Sequence, residues 1–182
     1  MAKLVSATYG DALFSLACEE NKVDSLYEEV KSLQKILEQN PDFSVLMNHP
    51  KVTKEEKEKT LEEVFGGRAD AELVGFLKLL LRKDRYSELP AILAHFTAQV
   101  KEYRGIGVAN ITSPLELTDK QKKEIEAKLL ATTKYKTMEM HYSVDKSLIG
   151  GLVIRIGDRV VDSSIRTKLE GLKRELGKIQ IA

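Results

Sequence analysis

Three histidines, His49, His95 and His141, and a single cysteine, Cys18, are the side chains of this 182-residue chain best suited to bind a metal, attack a carbonyl or move a proton near neutral pH. Their placement argues against all three. The histidines fall in three separate segments, without the close spacing a metal site needs, and read as surface or structural groups. Cys18 lies in an apolar helical stretch with no evident activating neighbour, so it reads as a small buried apolar side chain. The sequence holds no G-x-x-x-x-G-K-S/T loop, no G-x-G-x-x-G, no H-E-x-x-H and no G-x-S-x-G. Gly105-Ile106-Gly107 and Gly150-Gly151 are the glycine candidates for cradling a phosphate, but neither follows a strand and opens a helix. Gly150-Gly151 reads as a bulge or a close backbone approach. The run Lys120-Gln121-Lys122-Lys123 shares its segment with Glu124 and Glu126 and has no aromatic companion, which describes a solvated helix face. No catalytic residue, cofactor or metal is expected.

Composition narrows the class further. Apolar residues make up 42% and charged residues 31%, the balance of a globular protein with a core. The net charge is +1, which gives no overall reason to expect a nucleic acid or an anionic membrane as partner. Residues 1–104 hold 15 basic and 18 acidic side chains, net −3; residues 105–182 hold 14 and 10, net +4. One cysteine excludes an internal disulfide and fits a reducing compartment. The start, Met1 to Ser6, lacks the apolar core of a secretory signal. The densest apolar stretch, Leu73 to Leu81, is interrupted by Gly75 and Lys78, so no segment offers the roughly 20 apolar residues that span a bilayer.

The elements that position these residues follow from spacing. Thr8 to Glu20 is a proline-free helix. Val23, Leu26, Tyr27, Val30, Leu33 and Leu37 recur at threes and fours, an amphipathic helix. Asn40 can cap the next helix with Pro41 in its first turn, and Pro50 stops it. Thr53 and Glu56 form a capping box ahead of Leu61, Val64 and Phe65, and Gly66-Gly67 ends that helix. Asp70 to Leu81 is the fifth helix, and a sixth begins at Ser87-Glu88 and carries Leu89, Ile92, Leu93, Phe96, Val100 and Tyr103. After Arg104-Gly105-Ile106-Gly107 the pattern changes. Val108 to Thr112 reads as a strand, and Thr118 with Gln121 caps a helix bearing Ile125, Leu129 and Leu130. Met138, Met140, Tyr142 and Val144 alternate with polar residues as a half-buried strand; Leu152, Ile154 and Ile156 mark another. Gly157-Asp158-Arg159 turns the chain into Val160-Val161, and Ser163 or Ser164 caps a last helix. The expected fold is α+β: a six-helix bundle over 1–104, then a small β-α-β-β-β-α domain over 105–182.

Two helices carry more apolar surface than an ordinary packed face requires, and the last helix has a stripe of its own. In the first, Asp11, Ser15, Thr8 and Glu19 confine the polar side to a sector about 80° wide at 100° per residue. Val5, Ala7, Tyr9, Ala12, Leu13, Phe14, Leu16, Ala17 and Cys18 occupy most of the remainder. In the fifth, Leu73, Val74, Leu77, Leu80 and Leu81 form a core stripe, and Phe76 and Leu79 widen it to roughly 220°. Either both helices are central and buried all round, or they lie side by side and leave an apolar groove for a partner helix. In the last helix, Ile165, Leu169, Leu172, Leu176 and Ile179 follow a 4-3-4-3 seam. Packing on its own sheet is the simpler account. The alternative is a helical partner, with Lys173, Arg174 and Lys178 placed to meet acidic groups.

The stretch from Val144 to Asp158, VDKSLIGGLVIRIGD, resembles the signature of the delta subunit family of F-type ATP synthases, which includes the mitochondrial oligomycin-sensitivity-conferring protein. Val161-Asp162-Ser163-Ser164-Ile165-Arg166, Ala7 to Phe14 and Asp84 to Pro90 are similar to the same family, so the likeness runs through essentially the whole chain. The resemblance implies a non-catalytic stator connector in a proton-translocating ATP synthase. The bundle would bind the amino-terminal helix of an alpha subunit through Tyr9, Ala12, Leu13, Leu16, Phe76, Leu79 and Leu80. The second domain would contact the peripheral-stalk b subunits near Ile165, Leu169, Leu172 and Leu176. It implies no nucleic acid and no membrane insertion. With no organellar transit peptide in view, the expected place is the cytoplasmic face of a bacterial plasma membrane. Two other readings stay open on residues alone: a nucleic-acid module using the basic second half, and a small phosphate-binding α/β enzyme.

Overall fold

The computed structural model describes the backbone of residues 2–178 and the side chains of residues 4–174. The chain divides into two compact units, Met1–Lys101 and Glu102–Ala182.

The first unit is helical. Its elements are α1 (Ala2–Glu19), α2 (Val23–Gln39), α3 (Pro41–Asn48), α4 (Lys54–Phe65), α5 (Ala71–Arg82), a 3-10 turn at Tyr86–Glu88, and α6 (Leu89–Arg104), whose last residues pass the division between units. Each helix turns one stripe inward. Leu26 and Val30 of α2, Leu61 of α4, Leu80 of α5 and Ile92 and Phe96 of α6 are all sealed from solvent. Full burial of such a side chain contributes about 1.5–3 kcal/mol of transfer free energy. Local chemistry sets the starts. The Thr53 hydroxyl accepts from the Glu56 N–H while the Glu56 carboxylate accepts from the Thr53 N–H at 3.0 Å. These bonds hold the Glu56 carboxyl below its ordinary range. Asn40 does not cap α3 as its type suggested: its amide donates 2.8 Å back to the Ile36 carbonyl and closes α2 instead. Helices α4 and α5 are tied by a two-pronged bond from Arg82 to Glu58, at 2.7 and 2.9 Å.

The second unit contains β1 (Ile106–Ser113), α7 (Asp119–Thr132), β2 (Thr137–Val144), a 3-10 turn at Lys146–Leu148, β3 (Val153–Ile156), β4 (Arg159–Asp162) and α8 (Ile165–Lys178). The strands form one mixed sheet in the order β2-β1-β3-β4. Strand β1 pairs parallel with β2, from Ile106↔Thr137 to Ser113↔Val144, and antiparallel with β3. A parallel pair needs a crossover, and α7 supplies it, opened by the Thr118–Gln121 capping box. Gly107, Ala109, Ile111 and Ser113 alternate inward along β1. Arg159 pairs with Ile156, so it belongs to β4 and the hairpin turn shortens to Gly157-Asp158. Gly151 has φ +80°, and a Cβ there would stand 2.3 Å from the Ser163 carbonyl oxygen, so only glycine lets the backbones meet. The observed class is α+β, with helices first and a small four-stranded sheet after them.

The second unit buries few large apolar side chains. Ala109, Ile111 and Leu148 are sealed, whereas no residue of α7 is fully buried and all of β4 is exposed. Tyr142 and Val144, expected on a half-buried face, are exposed; the Lys122 ammonium lies 5.3 Å from the Tyr142 ring centre.

Candidate functional site

The groups that could do chemistry are spread out and engaged locally. His49 Nδ1 accepts from the Lys51 N–H at 3.2 Å. His95 Nε2 lies 2.8 Å from Asp11 Oδ1, which also accepts from Gln99 at 2.6 Å, a bridge between α1 and α6. His141 meets Glu139 at 3.0 Å on β2. Cys18 is half-buried on α1 rather than sealed. Among the described residues, no three His, Cys, Asp or Glu side chains converge on a metal position. The perturbed carboxylates answer to the fold. The Arg82 fork lowers Glu58, and the Lys134 ammonium and then the Tyr135 hydroxyl lower Glu102. A depression of about 500 Å³ in the second unit has Lys134, Tyr135, Asp158 and Arg159 on its walls, but its Lys134 is already ion-paired with Glu102.

What stands open is apolar helix surface. On α1, Tyr9, Ala12 and Leu16 recur at spacings of three and four and therefore share one flank. Ala12 is exposed; Tyr9 and Leu16 are half-buried. On α5, Leu79 keeps 42% of its surface in solvent. The Tyr9 and Phe76 rings meet edge to face with centroids 6.5 Å apart, so the two flanks adjoin. Leu13, Leu80 and Phe76 lie below this surface, buried in the core. They support the flank from beneath and present little or nothing to solvent. Thus the extra apolar width of the two helices divides: one side faces inward and the other is left partly open.

On α8, Ile165, Leu169 and Leu172 are 43%, 52% and 55% exposed. Their own unit covers about half of each, and the rest of the seam stands open. Leu176 continues the helix, but its side chain lies outside the described residues, as does Ile179. The helix start is fixed firmly. The Ser164 hydroxyl accepts from the Thr167 N–H at 3.3 Å, and Asp162 accepts from the Ser164 N–H at 2.8 Å and from the Thr167 hydroxyl at 2.7 Å. Arg166 donates to the Ser147 hydroxyl at 3.0 Å.

One surface was not foreseen. A hollow of about 470 Å³ lies between α2, α4 and α5, floored by Leu33, Phe65, Leu73 and Leu77, with Ile36 and Val64 at its rim. Val64 is exposed, whereas Leu61 and Phe65 of the same helix are buried. The available signal was Ile36, a large apolar residue well off the stripe of its own helix.

Residues 5–176 match the family model described as ATP synthase delta (OSCP) subunit. The chain is 49% identical over 181 residues to the ATP synthase subunit delta of Lachnoclostridium phytofermentans, covering 100% of both chains. It is 34% identical to the subunit delta of Desulforamulus reducens, over 94% of each chain, and 32% identical to that of Synechocystis, over 95% of this chain and 94% of the other. Its fold is similar to a chain in the cryo-EM structure of the Toxoplasma gondii mitochondrial ATP synthase hexamer, with a TM-score of 0.79 at 18% identity, covering 96% of this chain and 98% of that one.

Proposed function

The chain belongs to the ATP synthase delta (OSCP) subunit family, and on that premise we propose that each of its units grips a different partner through its open helix surface. As a family member it is a non-catalytic stalk subunit of an F-type ATP synthase and a peripheral, membrane-associated component of that complex. No described helix is long and apolar enough to cross a membrane. The first unit seats the amino-terminal helix of an alpha subunit on Tyr9, Ala12, Leu16 and Leu79, above the Leu13, Phe76 and Leu80 floor. The second unit seats the carboxyl-terminal end of the stalk b subunits on Ile165, Leu169, Leu172 and Leu176. Relatives in bacteria support the cytoplasmic face of the plasma membrane as its place.

The observation that carries this reading is that both units keep large apolar side chains in water on helices whose other sides or ends are well anchored. Leaving such side chains uncovered forgoes their transfer free energy, and a partner helix recovers it. The role is mechanical. The shaft that drives synthesis also drags on the catalytic head, and a connector fixed to head and stalk resists that drag. Two modest contacts on one chain hold far better than either alone, because the second forms at high effective concentration.

The test is a calorimetric titration of the full chain with the alpha-subunit amino-terminal peptide. Leu79→Asp and Ala12→Asp should each weaken binding roughly tenfold or more, since each sets a charge into an apolar contact, while far-UV circular dichroism stays unchanged. Full affinity in both variants would remove the α1/α5 seat. The hollow between α2, α4 and α5 is a second candidate seat for the same helix. Loss of binding on Ile36→Asp, with Leu79→Asp silent, would move the contact there.

A further inference from the structure

The charges beside the α8 seam specify the chemistry of its partner. At 100° per residue, Ile165, Leu169 and Leu172 centre on one line. Lys173 and Arg166 lie roughly 70–90° to one side of that line, and Lys168 roughly 70° to the other. Arg174, expected from the sequence to meet acidic groups, falls on the opposite face and cannot flank the seam. Lys178 has its side chain outside the described residues, and Glu170 lies well behind the seam. In heptad terms, Ile165 and Leu172 take d and Leu169 takes a, so Arg166 and Lys173 are at e and Lys168 at g. Arg166, Lys168 and Lys173 are cations on exposed residues. Against these three, the one acidic residue at a flanking position of the helix is Glu175, at the next g, whose side chain lies outside the described residues. Neither Lys168 nor Lys173 has a carboxylate partner among the described residues, whereas Arg166 donates to Ser147 and interacts with the Asp145 and Asp162 carboxylates of its own unit. The two lysines are therefore the cations left for a partner. The 3-10 turn beside the start of α8 adds the exposed Lys146.

From this we infer that the stalk segment covering α8 is an acidic amphipathic helix, with Asp or Glu at the positions that flank its own apolar seam. The inference rests on the reading that α8 is the stalk seat and adds the sign of the charge that seat selects. Apolar contact supplies most of the hold. The carboxylates fix register and exclude helices with basic flanks, because like charges across a seam repel. Fixed cations beside the seam also speed encounter with an acidic partner at low salt.

The test is binding of the full chain to the carboxyl-terminal fragment of its own stalk b subunit at about 50 mM and about 500 mM salt, spanning weak to strong screening. Lys173→Glu and Arg174→Glu make the same charge change at adjacent residues, one beside the seam and one behind it. At the lower salt Lys173→Glu should lose roughly fivefold in affinity and Arg174→Glu less than about twofold. At the higher salt the two should converge. Leu169→Asp should lose binding at both. Equal effects of Lys173→Glu and Arg174→Glu, or no effect of Lys173→Glu while Leu169→Asp fails, would overturn the acidic-helix inference and leave the seat intact. Wild-type binding by Leu169→Asp would overturn the seat itself.

Discussion

At the residue scale, the most legible features are those that close within four positions. Thr53 with Glu56, and Thr118 with Gln121, form their capping boxes as the spacing requires, because a hydroxyl and a carboxyl or amide three residues apart reach each other's N–H groups once the helix starts. Thr53→Ala and Thr118→Ala should each cost about 1 kcal/mol, read as a lowered midpoint of thermal or urea unfolding. Asn40 was illegible for the complementary reason: it sits between two helix ends, and only the geometry decides which carbonyl or N–H it meets. Long-range charge was equally hidden. Lys22 donates to Asp70 at 3.2 Å and Glu72 at 2.8 Å, a meeting of residues nearly 50 positions apart. The Asp70 side chain first, and Lys22 second, hold the Glu72 carboxyl down to about 2, against an ordinary 4.5. A depressed folded-state value means this stabilisation is whole above pH 4.5 and is lost as pH falls toward 2. Glu72→Gln should therefore flatten the acid limb of the stability-versus-pH curve between those values. Added salt should shrink the difference, because the pair is partly exposed.

At the element scale, periodicity located the helices and strands but not what covers them. The inward stripe of α5 was readable from Leu73, Val74, Leu77, Leu80 and Leu81, all of which are buried. Whether Phe76 and Leu79 would also be covered was not readable, since that depends on which neighbour lies alongside. Phe76 is closed in, partly by Tyr9, and Leu79 is open. The α8 seam shows the same limit more strongly. A 4-3-4 spacing specifies a helix face that wants a partner and is silent on whether that partner belongs to the same chain. Depth of burial separates the residues in mutation. Leu80→Ala should destabilise the bundle by about 2–5 kcal/mol through the cavity it leaves. Leu79→Ala should cost far less stability and act chiefly on binding.

At the scale of the whole molecule, the two units differ in how much they hold for themselves. The first seals a broad core contributed by all six of its helices; the second seals Ala109, Ile111 and Leu148 and leaves β4 and the α8 seam in water. Amide hydrogen exchange should accordingly be slower in the buried turns of α2, α5 and α6 than in β4 and α8 of the free protein. The same experiment on the full chain tests the central claim most directly, by adding the alpha-subunit amino-terminal peptide and the stalk b fragment separately and then together. Protection should rise in α1 and α5 with the first, in α8 with the second, and in both sets when the two are combined. Protection of the same unit by both partners, or of neither α1/α5 nor α8, would contradict the account.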